Sequence, residues 1–311
     1  MTLTQLEYIV ALDTHRHFAI AAEKCFVTQP TLSMQIRKLE EELGVKIFDR
    51  TKQPVIPTEI GVAILSQARV TLRQAGMIQQ LIREQKDTLS GELRIGIIPT
   101  LAPYILPPLY KVMREKFPQL NLVIRESITE DVIHELKHNR LDCGIVVTPL
   151  KDPSIREDVL FYEELFVYVS EKNALSGKKY ILANEIDPNK LWLLEEGHCF
   201  RSQVLNLCEL RKNTDFHFQY ETGNIETLKR MVAKSDGLTI LPELAVMEMD
   251  RKQRLLVKRL KQPSPAREVS LVTHRDHIKT KLIRALREEI LGVIPATMRK
   301  LSQKKVVEIN Y

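Results

Sequence analysis

The chain has 311 residues, 44% of them apolar and 28% charged, a soluble globular balance that excludes fibrous and disordered classes and a length that implies two or three domains. No stretch nears the ~18 apolar residues of a membrane span, and the first residues lack the basic-then-apolar pattern of a signal peptide, so a cytoplasmic protein is expected. The net charge of +6 invites a nucleic-acid reading, but residues 1–90 carry +1, 91–250 carry −6 and 251–311 carry +11, so a DNA claim has to come from a motif rather than from bulk charge.

Residues 4–12 and 18–26 read as two short amphipathic helices, with Leu6, Ile9 and Val10 on one apolar face and Phe18, Ala19, Ala22 and Phe26 on the other. After a break at Val27, Thr28 is a candidate N-cap and Pro30 falls in the first turn of a third helix, where its missing N–H costs nothing. Leu32, Ile36, Leu39 and Leu43 follow at spacings of 4, 3 and 4 until Gly44 ends the helix. Off that stripe lie Gln29, Thr31, Ser33, Met34, Gln35, Arg37 and Lys38, whose short hydroxyls, two glutamines and two cations suit base edges and phosphates. Val45–Phe48, a polar turn and Val55-Ile56 complete a small hairpin, giving a winged helix-turn-helix over residues 1–57.

From Thr58 to about Leu89 a stripe of Ile64, Ala68, Leu72, Ala75, Ile78 and Ile82 averages near 3.5 residues and predicts a linker helix, 58–90, with a two-stranded seam. Packing of that stripe on its own chain is the alternative.

After Ser90-Gly91 short apolar strands alternate with helices. Strands are expected at 93–98, 122–124, 143–147, 165–169, 192–194, 238–241 and 269–273, and helices at 103–117, 130–139, 201–211 and 225–234. The alternation predicts an α/β regulatory domain over 91–295 with largely parallel sheets. The chain leaves the first sheet near 163 and returns near 268, which divides the domain into lobe I (91–163 and 268–295) and lobe II (164–267). A basic tail, 296–311, is either a solvated helix end or a DNA contact. No glycine-rich phosphate loop, H-E-x-x-H or G-x-S-x-G is present, so the chain is not read as an enzyme and no cofactor is called for.

Cys25, Cys143, Cys199 and Cys208 form no C-x-x-C pair, which argues against a zinc ribbon or thioredoxin chemistry. Cys25, in the apolar second helix, reads as a structural thiol. Cys199 follows a strand and a turn at Gly197 and opens a helix, with His198 beside it and Arg201 two residues on. A helix N-terminus and two cations would each lower a thiol pKa. Cys208 sits among Leu205, Leu207 and Leu210 and reads as a quiet thiol. A helix between the two puts them about 13 Å apart along its axis, whereas a disulfide needs Cα atoms about 5.5–6 Å apart. Joining them therefore requires the helix to unwind, which would make a redox event a conformational one. Two unrelated thiols remain open as a reading. So does a metal site of His198, Cys199, Cys208 and His217, although its spacings fit no usual template.

The N-terminal segment resembles the LysR-type transcriptional regulators through Phe18, Ala21-Ala22, Val27-Thr28-Gln29-Pro30-Thr31-Leu32-Ser33, Ile36, Leu39-Glu40, Leu43-Gly44, Phe48, Arg50, Thr58 and Gly61. That resemblance implies a recognition helix in the major groove, with Gln29, Pro30, Thr31, Ser33, Gln35 and Arg37 near the bases and Arg50 on phosphate. It also implies a dimer or tetramer and a bilobal, periplasmic-binding-protein-like regulatory domain. The core Gly197-His198-Cys199-x-Arg201-x-Gln203, the Cys199–Cys208 spacing, Ile98-Pro99-Thr100, Pro103-Tyr104, Leu106-Pro107, Thr129 and Leu141-Asp142-Cys143 are similar to the hydrogen-peroxide-sensing subgroup of that family. Phe200 and Ser202 depart from its usual leucine and aspartate. The resemblance implies Cys199 as the peroxidatic and Cys208 as the resolving thiol, with Thr100, Thr129, His198 and Arg201 in the peroxide pocket. It further implies promoter DNA, RNA polymerase and a thioredoxin- or glutaredoxin-type reductant as partners, and activation of antioxidant genes. The competing readings are a regulator that binds a metabolite between its lobes and a thiol peroxidase, the latter leaving the N-terminal domain unexplained.

Overall fold

The computed structural model describes residues 1–84, 89–194, 199–208, 224–261, 263–277, 279–301 and 304–307. The chain divides into two compact units, 1–87 and 88–311.

In the first unit Thr2 and Gln5 form a reciprocal capping box at the start of α1 (Leu3–His15), and α2 (Phe18–Lys24) follows. Thr28 caps α3 (Gln29–Leu43), accepting the Thr31 N–H, with Pro30 in the first turn. Gly44 ends the helix at φ 70°, the left-handed conformation that glycine adopts without a Cβ clash. Leu32, Ile36 and Leu39 are fully buried against Ile9, Leu12, Ala21 and Ala22, so the 4–3 spacing does face the core. A two-stranded wing, β1 (Phe48–Asp49) and β2 (Ile56–Pro57), leads into α4 (Glu59–Glu84). A Cβ on Gly61 would lie 2.0 Å from the Ile47 carbonyl oxygen, so only glycine lets α4 start this close to the wing.

Three expectations for this unit are corrected. Phe26 is not on the apolar face of α2: it lies in the turn beyond the helix at φ 57° and is 96% exposed, and Ala19 is exposed too. Leu43 at the end of α3 is also exposed. The stripe of α4 is split: Ala68 is buried and Ile64 and Leu72 pack against the core that α1 helps to build, beside Leu65 and Arg69, which pairs with Asp13, whereas Ile78 is exposed. Its first turns therefore pack on their own chain, because heptad spacing alone does not name the partner.

The second unit holds β3 (Gly91–Ile97), α5 (Ala102–Lys116), β4 (Leu120–Glu126), α6 (Thr129–Lys137), β5 (Cys143–Thr148) and β6 (Ile155–Val169). Then come β7 (Tyr180–Ile181), α7 (Cys199–Leu207), α8 (Ile225–Lys234), β8 (Leu238–Pro242), α9 (Glu243–Met247), α10 (Arg251–Leu255), β9 (Val257–Leu260), β10 (Ser264–His274), α11 (Thr280–Val293) and β11 (Lys304–Val306). Among the described residues the sheet order is β4-β3-β5-β10-β6-β9-β7, with β8 beside β6 and β11 beside β10. Only part of this is parallel: β10 runs antiparallel to β5 and β6, and β6 antiparallel to β8 and β9. The reason is that β6 carries the chain from the first core to the second and β10 brings it back alongside in the opposite direction, so these two strands pair antiparallel. Trp192–Leu194 is not a strand; Leu191 makes one bridge to Leu238, and the Trp192 N–H donates to the Leu238 carbonyl.

Two hydrophobic cores result. One is built on β3, β5, α5 and α11, the other on the second half of β6 with β8, α7 and α8. The long strand β6 serves both. The end of the chain is neither a solvated helix nor a free basic arm over 304–307: β11 pairs parallel with β10, and Lys304 donates to the Tyr162 carbonyl at 3.0 Å.

Candidate functional site

Cys199 is the first residue of α7, 8% exposed and packed in the first core, whereas Cys208 follows the last turn and packs in the second. About 13 Å of helix rise therefore separates two thiols held by different cores. Between them Gln203 is fully buried, and its Nε2 donates to the Val307 carbonyl at 3.2 Å.

The Thr129 hydroxyl, at the first residue of α6, donates to the Cys199 Sγ at 3.7 Å. Beside them lies Arg267 of β10, 0% exposed. Its Nε donates to Glu163 Oε2 at 2.7 Å, its Nη1 to the Thr100 hydroxyl at 2.8 Å and its Nη2 to the Thr100 carbonyl at 3.2 Å. The guanidinium carbon stands 5.1 Å from the centre of the Phe200 ring. Glu163 also accepts the Leu244 N–H at 2.8 Å. Tyr104 packs against both cores and donates to Glu226 at 2.8 Å. Each of the three nitrogens of this buried guanidinium thus has a partner, and its charge acts on the Cys199 thiol.

Burial pushes the Cys199 thiol up, and the Thr129 hydroxyl and the charge of Arg267 pull it down; burial prevails, so the thiol stays above its ordinary value. This corrects the expectation of a lowered pKa. The Arg201 Nη1 donates to the Leu194 carbonyl at 2.8 Å. Positions i and i+2 of a helix face different sides. The cation that reaches Cys199 is Arg267, 68 residues downstream and invisible to a local motif. Burial pushes Cys208 up to about 12 and Cys143, the first residue of β5, up as well. Cys25, half-buried at the end of α2, is raised by burial and by Glu7. His198 and His217 lie outside the described residues, and among the described residues no cluster of three or more His, Cys, Asp or Glu is placed to hold a metal.

In the first unit Gln29, Pro30 and Arg37 are exposed, and Thr31, Ser33 and Gln35 are partly so. Arg37 pairs with Glu41 at 2.9 Å, and Gln35 accepts from Gln5 at 3.3 Å. The Thr31 and Thr28 hydroxyls share a hydrogen bond of 2.9 Å. Arg50 binds the buried Glu40 at 3.0 Å, and Glu40 also accepts the Ile47 and Phe48 N–H groups. Arg50 thus ties the wing to α3 while staying about one-third exposed. Met34, half-exposed on α3, is absent from the expected contact set.

Residues 3–62 match the model of the bacterial regulatory helix-turn-helix proteins of the lysR family, and residues 86–294 match the LysR substrate-binding domain. The chain belongs to the LysR family. The Escherichia coli K12 DNA-binding transcriptional dual regulator OxyR is 37% identical over 88% of this chain and 89% of its own length. The hydrogen peroxide-inducible genes activator of Haemophilus influenzae is 36% identical over 88% and 90%. Full-length OxyR from Pseudomonas aeruginosa, solved as a cysteine-to-aspartate variant, superposes with a TM-score of 0.79 at 34% identity, covering 93% of this chain and 94% of that one. A peroxide-bound cysteine variant of OxyR from Corynebacterium glutamicum gives 0.61 at 26% identity, covering 94% and 92%. Within the LysR family the chain falls in the OxyR subgroup, with the winged helix-turn-helix and the bilobal, periplasmic-binding-protein-like regulatory domain of that group. It is a DNA-binding transcription regulator, not an enzyme.

Proposed function

We propose that this LysR-family regulator is a cytoplasmic transcription activator that reads hydrogen peroxide through Cys199 and Cys208 and switches antioxidant genes. Relatives named as hydrogen peroxide-inducible activators support the signal. The observation that carries the chemistry is the pair of thiols at opposite ends of α7, one in each core.

The Cys199 thiolate attacks one peroxide oxygen. The S–O bond forms, the O–O bond breaks, and the leaving oxygen takes a proton and departs as water. Sulfur is oxidised to sulfenic acid as peroxide is reduced. The Cys208 thiolate then attacks that sulfur, the S–S bond forms, and the sulfenic oxygen leaves as a second water. Thr100, Thr129 and the Arg267 charge are placed to hold the thiolate and the departing oxygen, with His198 and Arg201 as further pocket residues by resemblance. The disulfide demands that α7 unwind, which releases Gln203 from Val307 and lets the two cores shift. On DNA, Gln29, Pro30, Thr31, Ser33, Gln35, Arg37 and Arg50 meet the groove and backbone of a promoter as a dimer or tetramer. RNA polymerase is recruited in the oxidised state, and a thioredoxin- or glutaredoxin-type dithiol returns both cysteines to thiols.

The test is differential alkylation with peptide mapping after one equivalent of peroxide on the reduced, purified protein. A Cys199–Cys208 disulfide with Cys25 and Cys143 still free is the expected result. Two reduced thiols at that dose would overturn the sensor and make a metabolite-binding regulator the better account.

A further inference from the structure

We infer that Phe26 and Met34 form an apolar element of the DNA interface that reads thymine 5-methyl groups; this rests on the DNA-binding reading of the helix-turn-helix. Phe26 breaks two rules at once. Its φ of 57° is a conformation that bulky side chains rarely adopt, and its ring is 96% exposed. The backbone has a use in the fold, since the Phe26 N–H to the Glu23 carbonyl and the Val27 N–H to the Ala22 carbonyl close a left-handed cap on α2. The ring has none: such a cap is ordinarily glycine or asparagine, and a large apolar side chain there stands in water, which points to a binding role for the side chain.

Position says which. Phe26 stands two residues before Thr28, the N-cap of α3, in the turn held by the Phe26 N–H to the Glu23 carbonyl and the Val27 N–H to the Ala22 carbonyl. Met34 lies on α3 one turn beyond the exposed Pro30, 50% exposed, on the side away from buried Leu32, Ile36 and Leu39. The two apolar side chains therefore flank the N-terminal half of the helix whose polar neighbours Gln29 and Ser33 suit base edges. Lys24, before Phe26, and Lys38, one turn after Met34, are exposed cations that match phosphates on either side. In the major groove the one apolar group on a base edge is the thymine methyl, and an apolar side chain is its partner.

The test uses the full-length protein and the sites it selects from random double-stranded DNA. Each thymine in a selected site is replaced in turn by deoxyuridine, which removes the methyl and nothing else. Binding should weaken about three- to fivefold at one or two thymines per half-site, the worth of one methyl group taken out of water. In Met34→Gln and in Phe26→Asn the penalty at the corresponding thymine should vanish. The slope of affinity against salt should stay that of the parent, since no phosphate contact is removed. Phe26→Asn should also melt at the same or a higher temperature, because asparagine tolerates the left-handed backbone. Deoxyuridine that costs nothing at any position, or a penalty that persists in both variants, would overturn the inference. Failure of the parent protein to select any site would instead remove the DNA-binding reading beneath it.

Discussion

Cys143 and Cys199 lie in the same core, and both are buried, yet they are chemically different objects. Cys143 sits in a central strand, and the carboxylate of Asp142 next to it raises its pKa further. Cys199 begins a helix, accepts a hydroxyl hydrogen from Thr129 and lies near the Arg267 charge. Burial alone makes a thiol inert; burial with a donor and a cation makes one that stays protonated at rest and has a ready-made site for its anion. What separates the two thiols is the neighbourhood, not the exposure.

The largest effect should come from removing Cys199. Cys199→Ser should abolish the peroxide-driven change of the DNA footprint with basal binding intact, while Cys143→Ser should leave the change in place; a footprint that still shifts in Cys199→Ser would end the comparison. Next comes the cation. Arg267→Gln strands Glu163, a buried carboxylate, and should cost about 3–5 kcal/mol in urea denaturation. Glu163→Gln added to it should restore part of that loss. If the single variant were as stable as the parent, the pair would not be holding the site. Cys143→Ser buries a hydroxyl where a thiol packed and should lose about 1–3 kcal/mol, read as a lower melting temperature with an unchanged rate of peroxide reaction.

The pH dependence is smaller but diagnostic. With its pKa raised, Cys199 is mostly thiol near neutrality, so its oxidation rate at fixed peroxide should climb with pH, by up to about tenfold per unit until half ionisation. A rate flat across pH 6–9 would mean the thiolate is already formed. Thr129→Val removes the one hydroxyl on the sulfur and should move that profile to higher pH, a change of about 1 kcal/mol or less in thiolate stability.

Local pattern carried much of this into view. The burial of Leu32, Ile36 and Leu39, the Thr28 cap and the Gly44 stop follow from spacings within fifteen residues, and α8 occupies the expected 225–234. What stayed hidden was assembled across the chain. Arg267 meets Thr100 over 167 residues and Glu163 over 104, and nothing near Arg267 in sequence marks it. Arg201, two residues from Cys199, donates to the Leu194 carbonyl, and positions two apart on a helix face different sides. The order of strands escaped for the same reason, since β10 gains its neighbours from β5, β6 and β11.

The ties between Gln203 and Val307, and between Glu163 and Arg267, also set a timetable for biosynthesis. Each joins residues 104 positions apart, so at about 5–20 residues per second the ribosome adds the later partner some 5–20 s after the earlier one. While residues 209–266 are being added, a nascent chain already carries Cys199 and Cys208 but neither the cation that acts on the first nor the strand that braces the helix between them. A newborn chain is then the form in which these two thiols are least shielded from wrong partners, and the supply of cellular reductant matters before the molecule has ever met an operator.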